Sequence, residues 1–109
     1  FLDAEGGSDV QVKELGSEPP GRTDPNDPFM TMVVESAAEG YGVPMTRVPM
    51  SGGSGPNHAF LHYLKLPVVT AGLGYPGGLV HTPNENIRED LYIKATQHVA
   101  RIVSKFATS

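Results

Sequence analysis

The sequence predicts an α/β fold, a sheet with parallel neighbours and helices packed on it. Three observations lead there. Two segments, one after Asp27 and one near the end of the chain, carry apolar residues at helical spacing. A short, continuously apolar run, Leu66-Pro67-Val68-Val69-Thr70-Ala71, has the character of a strand buried on both faces. Glycine and proline fall at discrete boundaries, so the elements read in the order strand, crossing, helix, strand, helix, strand, helix.

The elements follow in chain order. Phe1 to Glu5 reads as the last turn of a helix closed by Gly6-Gly7. Val10-Gln11-Val12-Lys13 alternates apolar and polar, as a half-buried or edge strand does. Gly16 to Pro28 is rich in Gly, Pro, Asp and Asn and marks a crossing between domains. Asp27 then caps a helix, and Pro28 suits its first turn because the N–H that proline lacks has no helical partner there. Phe29, Met32, Val33, Ser36 and Ala37 share one face of that helix, and Gly40 and Gly42 end it.

Pro44 to Met50 reads as a strand and Pro56 to Leu64 as a short helix with Phe60, Leu61 and Leu64 inward. After the apolar run comes a glycine loop, Gly72 to Glu85. Asn86 and Glu89 have the spacing of a capping box, which would open the last helix. Leu91, Ala95, His98, Val99, Ile102 and Phe106 form its apolar stripe, with His98 a partly buried core or interface histidine.

Composition narrows the function. The chain has 109 residues, a net charge of −4 and no cysteine. Disulfides and thiolate metal sites are excluded. Basic residues are scattered, so no footprint for nucleic acid exists. No apolar run approaches the ~20 residues that span a bilayer. A cysteine-free chain is compatible with a reducing compartment, and the reading is cytoplasmic. Without an initiator Met or a leader-like segment, the chain reads as a piece of a longer polypeptide.

Several residues could carry chemistry. His81 follows a glycine loop at the end of the apolar run, where ligands bind in open α/β sheets. It is a candidate metal ligand or a surface histidine. Asn84 and Glu85 could hydrogen-bond its ring and fix its tautomer, or could serve the start of the next helix. Gly52-Gly53-Ser54-Gly55 would let an anion approach the backbone, or would form a tight turn. Arg22, in the crossing segment, could grip a carboxylate in bidentate fashion or be a solvated linker residue. His58 and His62 lie four apart and share a helix face, though Ala59 stands where H-E-x-x-H metalloproteases have glutamate. Gly72-Leu73-Gly74-Tyr75-Pro76-Gly77 matches the dinucleotide fingerprint G-x-G-x-x-G, but no helix follows it and the reading fails.

Together G-G-S-G-P, L-P-V-V-T-A-G-x-G and H-x-P-N-E resemble the C-terminal part of the dinuclear zinc carboxypeptidase and deacylase family. That family includes aminoacylase, acetylornithine deacetylase, succinyl-diaminopimelate desuccinylase, glutamate carboxypeptidase and carnosinase-like dipeptidases. The resemblance implies a three-layer αβα catalytic domain interrupted by an α+β lid that often dimerises. Residues 1–19 would be the end of the lid, and residues 20–109 the C-terminal segment of the catalytic domain. His81 is similar to the family's last metal ligand. Gly53, with Ser54 and Gly55, looks like the turn whose backbone binds the substrate carboxylate, and Arg22 resembles the arginine that binds the same group.

The resemblance further implies two zinc ions about 3.5 Å apart, with cobalt or manganese as possible substitutes. The substrate would be a small peptide or N-acyl amino acid with a free carboxylate. The family's His-x-Asp, bridging Asp, further acid and Glu-Glu pair would all lie upstream, and Asp24 and Asp27 are not assigned to those roles. No catalytic base is therefore expected in this segment, which should be inactive alone, with the rest of its polypeptide and a second copy as partners. Two other readings stay open: a non-catalytic α/β interaction module pairing through Val10 to Lys13, and a stand-alone zinc site built from His58, His62 and His81.

Overall fold

The computed structural model describes residues 4–7, 9–53 and 55–109. Three helices are present among the described residues: α1 (Pro28–Tyr41), α2 (Asn57–His62) and α3 (Glu89–Thr108). No strand forms among the described residues.

Local chemistry sets α1. The Asp27 carboxylate accepts from the Phe29 N–H at 2.8 Å, and Pro28 occupies the first turn. Gly42 closes the helix in the left-handed region, φ 74°, and its N–H donates to the Ala38 carbonyl. Gly40 lies inside the helix rather than at its end.

α3 is strongly amphipathic and packs on α1. Val33, Ala37 and Ala95 are the buried apolar residues between them. The most buried polar groups also lie there: Ser36 has no exposed surface and His98 is 3% exposed. Nε2 of His98 stands 3.1 Å from the Val33 carbonyl and 3.0 Å from Ser36 Oγ. A carbonyl oxygen only accepts, so the proton sits on Nε2. Ser36 Oγ donates to the same carbonyl at 2.9 Å. Phe29 meets Phe106 edge-on, and Lys105 pairs with Glu39 at 2.6 Å.

The predicted stripe of α3 is therefore half right. Ala95 and His98 are buried, whereas Val99 and Phe106 are 56% and 65% exposed. The capping box does not form either. Arg88 is the N-cap residue, with no side-chain capping bond. Its guanidinium pairs with Asp90, which holds the Asp90 carboxyl below its ordinary value and the Arg88 guanidinium above its own.

The predicted strands are corrected as well. Residues 10–13, 44–50 and 66–71 run without ladder partners, and Val12, Val48 and Leu66 are exposed. A strand is stable only when a neighbour takes its N–H and C=O groups. Apolar composition allows extension but does not supply that neighbour. Phe60 and Leu64, predicted to face inward from α2, are exposed; Leu61 is half-buried. Of the predicted terminal helix turn, residues 1–3 lie outside the described residues, and Ala4 to Gly6 form a turn with Gly6 at φ 79°.

The result is an open arrangement. The radius of gyration is 18.2 Å, against about 13 Å for a close-packed domain of 100 residues. The packed core is the α1–α3 seam, and the functional candidates lie outside it. No described helix is long and apolar enough to cross a membrane.

Candidate functional site

The crossing segment is pinned to the middle of the chain at four points, three of them beside Arg22. Thr23 Oγ1 donates to the Val68 carbonyl at 2.6 Å and accepts from the Val68 N–H at 2.9 Å. This reciprocal pair gives the apolar run, at one residue, what a neighbouring strand would have given it. Nδ1 of His58 lies 3.3 Å from the Pro20 carbonyl. Gly21 presses against α2 so closely that a Cβ there would stand 2.9 Å from Leu61 Cδ1 and 3.0 Å from the His58 backbone nitrogen. A glycine at 21 is thus required by contact, not by its own torsions. Neither Thr23 nor Gly21 was a candidate from sequence. A glycine between a proline and a lone arginine carried the available signal.

These contacts place Arg22 beside a hollow of about 700 Å³. Gly53 and Gly55 line the same hollow, together with Arg47, Asn57 and Thr70. Arg22 is exposed, and no hydrogen bond or ion pair among the described residues occupies it. The other guanidinium on the wall, Arg47, is engaged: it donates to the Pro25 carbonyl at 2.6 Å and reaches Thr31 Oγ1 at 3.4 Å. Ser54 lies outside the described residues.

The glycines at 52 and 53 have no neighbour within 4 Å of a built Cβ, and neither is in the left-handed region. Neither crowding nor torsion therefore demands them. Gly53 leaves its backbone bare toward the hollow; Gly52 does not line it.

His81 sits elsewhere and does not line the hollow. It is exposed, in a loop with an unusual backbone: Leu79, His81 and Asn84 have φ of 54°, 60° and 65°. Non-glycine residues in this region cost of order 1–3 kcal/mol each and persist where surroundings over-determine them. The surroundings here are visible. Thr82 binds the Leu79 carbonyl through both its N–H and its hydroxyl. Asn86 is the clamp: its amide donates to the Gly77 and Asn84 carbonyls at 3.1 and 3.0 Å, its carbonyl oxygen accepts from the Tyr75 hydroxyl, and its N–H reaches the Gly78 carbonyl. The residue predicted to cap α3 instead holds the His81 loop in shape. Among the described residues no hydrogen bond joins the His81 ring to Asn84 or Glu85, both exposed.

Sequence comparison sets this geometry in context. The model of peptidase family M20/M25/M40 matches residues 6–105, and the chain belongs to that family. It is a family of peptidases, hence hydrolases, and its members are generally metal-dependent. Neither the curated proteins nor the solved structures contain a significant match.

The metal can be tested against the donors present. Among the described residues no three His, Asp or Glu side chains come close enough to hold an ion. His58 and His62 stack on one another, but His81 does not join them, so a site built from all three is not formed. One imidazole does not make a catalytic metal centre, which takes three protein ligands. The described residues therefore do not fit such a centre by themselves, and no step is routed through it.

Proposed function

We propose that this chain is the C-terminal segment of a zinc-dependent amidohydrolase that cleaves a peptide or N-acyl amide beside a free carboxylate. The observation that carries the reading is the shared hollow: Arg22 and the pair of Gly53 and Gly55 come from two separate segments and face one space. A guanidinium free for bidentate pairing and the side-chain-free backbone of Gly53 and Gly55 together suit a carboxylate. In this reading residues 20–109 belong to a three-layer αβα catalytic domain and residues 1–19 to the lid. Segments 44–50 and 66–71 would pair as strands with strands supplied by the rest of the polypeptide. His81 would contribute one imidazole to a centre whose other donors lie elsewhere, with Asn84 and Glu85 near it. The strained, clamped loop supports that role, because strain gathers where a side chain must be held ready.

Work in the chain is then divided. The hollow binds and orients the carboxylate end, and such positioning converts binding into rate. The general base is not among the residues assigned here, so the chain alone is expected to be inactive. The reading also takes the protein as cytoplasmic and homodimeric, acting on small peptides or N-acyl amino acids, with no nucleic-acid or membrane partner.

The test is made in the whole polypeptide. Replacing Arg22 with Ala should raise KM by about tenfold to a hundredfold, the range for losing a charged hydrogen bond, with Arg22→Lys recovering part of it. Replacing His81 with Ala should remove most turnover while leaving KM for the carboxylate end less affected. Near-normal turnover in the His81 variant with intact metal content would sink the metal role. An unchanged KM in the Arg22 variant would sink the carboxylate role.

A second reading is favoured by one observation. Apolar side chains at Val10, Val12, Leu15, Val103 and Phe106 are more than half exposed, as in a module that is completed by a partner. Sedimentation of the isolated chain separates the two: a tight, stoichiometric dimer without affinity for carboxylates favours an interaction module.

A further inference from the structure

Away from the hollow and the His81 loop, α2 carries two imidazoles that neither reading uses. His58 and His62 are four residues apart on one helical face. Their rings lie with centroids 5.0 Å apart and planes within 13° of parallel. That spacing suits a shared ion. A nitrogen–metal bond of about 2.0–2.1 Å puts a ring centroid about 3.2 Å from the metal, so two imidazoles at a tetrahedral angle have centroids about 5 Å apart. Tilting the rings until their nitrogens converge needs rotation about χ2, a broad torsion for histidine. His62 is exposed, with the Tyr63 ring edge-on to it at 4.9 Å.

The second observation is the outer contact of His58. Its Nδ1 lies 3.3 Å from the Pro20 carbonyl oxygen, which can only accept. The proton therefore belongs on Nδ1, and Nε2 keeps a bare lone pair. A backbone carbonyl holding the remote ring N–H is the arrangement that orients metal-binding histidines and fixes their tautomer.

We propose that His58 and His62 form a two-imidazole site for a divalent first-row ion of the nickel, copper and zinc group, separate from the role given to His81. Imidazole pairs suit these ions. With no third protein donor among the described residues, water fills the remaining positions and the ion exchanges readily. An ion bridging positions four apart locks a turn of α2, a six-residue helix far too short to be stable by itself. Through the Pro20 carbonyl the same ion steadies the crossing segment that carries Arg22.

The experiment is calorimetric titration of the 109-residue chain with Cu²⁺ and with Ni²⁺, followed by circular dichroism at saturation. One ion per chain should bind, copper more tightly than nickel, with a rise in helical signal. His62→Ala and His62→Gln, both at an exposed position, should each weaken binding by roughly a hundredfold, the loss expected when the second arm of a chelate is removed. Affinity in both His62 variants equal to that of the unaltered chain would overturn the assignment.

Discussion

The α1–α3 pair and the segment between them divide the labour of this chain in opposite ways. The pair holds the deepest burial, a satisfied histidine–serine–carbonyl network, an aromatic contact and a cross-helix ion pair. None of the proposed substrate or metal residues lies in it. Residues 43–88 have one short helix, few buried side chains and three strained non-glycine residues in a single loop. All the site candidates except Arg22 lie there, and Arg22 is tied to that region through Thr23 and Gly21. Stability resides in one part and chemistry is prepared in the other. Mobile, functional segments come from the low-stability end of a fold because packed cores leave no side chain free.

The sharpest way to break that division is at His98. Truncation to Ala removes a ring with 3% exposure and leaves the Val33 carbonyl with one donor fewer. Loss of buried volume and of a hydrogen bond should cost about 3 kcal/mol. Urea denaturation followed by helical circular dichroism should show α1 and α3 failing together. If the helices instead melt separately, they are not one cooperative unit. Ser36→Ala, which keeps the His98 bond to Val33, should cost less.

Gly21→Ala strikes the tie between the two regions. A Cβ at 2.9 Å from Leu61 Cδ1 can be relieved by a side-chain turn, but the His58 backbone nitrogen at 3.0 Å gives less easily. The cost should be about 1–3 kcal/mol, as for overpacking. It should appear as loss of α2 protection in hydrogen exchange, with α1 and α3 protection retained. Equal loss across all three helices would mean that the regions are not separable.

Two smaller changes bear on α1 alone. Asp27→Ala removes the bond to the Phe29 N–H and should cost about 1 kcal/mol. Gly42→Ala places a Cβ at φ 74° and should cost about 1–2 kcal/mol. Thermal denaturation reads both, and in each case the His81 loop should keep its hydrogen-exchange pattern.

The smallest effect is the pH response of the first turn of α3. Bonding to Arg88 lowers the Asp90 carboxyl in the folded chain. A depressed carboxyl contributes stability that is present above its unfolded value and lost as the pH falls through the folded value. The pair is exposed, so salt should weaken the effect. Fraying of residues 89–92 below the ordinary carboxylate range, read by NMR shifts and absent in Asp90→Asn, is the expected outcome.

Legibility followed the reach of the forces. Asp27, Pro28 and Gly42 define α1 through contacts a few residues long, and they could be read directly. Asn86 and Glu89 had the right spacing for a capping box, yet the amide of Asn86 is taken by Gly77 and Asn84. Two local motifs competed for one side chain, and spacing does not say which wins. Phe60 and Leu64 read as inward because they are apolar, but burial needs an opposing surface. Of the site, Arg22 and Gly53 could be singled out from residue type and resemblance. That they share a hollow depends on Thr23 reaching Val68 across 45 positions.

By itself, then, the sequence determined the two long helices, the caps of α1, the absence of thiolate chemistry and the family, because these rest on neighbouring residues or on composition. Tertiary structure alone decided which apolar residues are covered, which amide clamps the His81 loop, where the crossing segment lies and whether the apolar runs become strands. Each of those needs a partner distant in the chain, and a hydrogen bond or a buried face is completed only by the group that arrives to meet it.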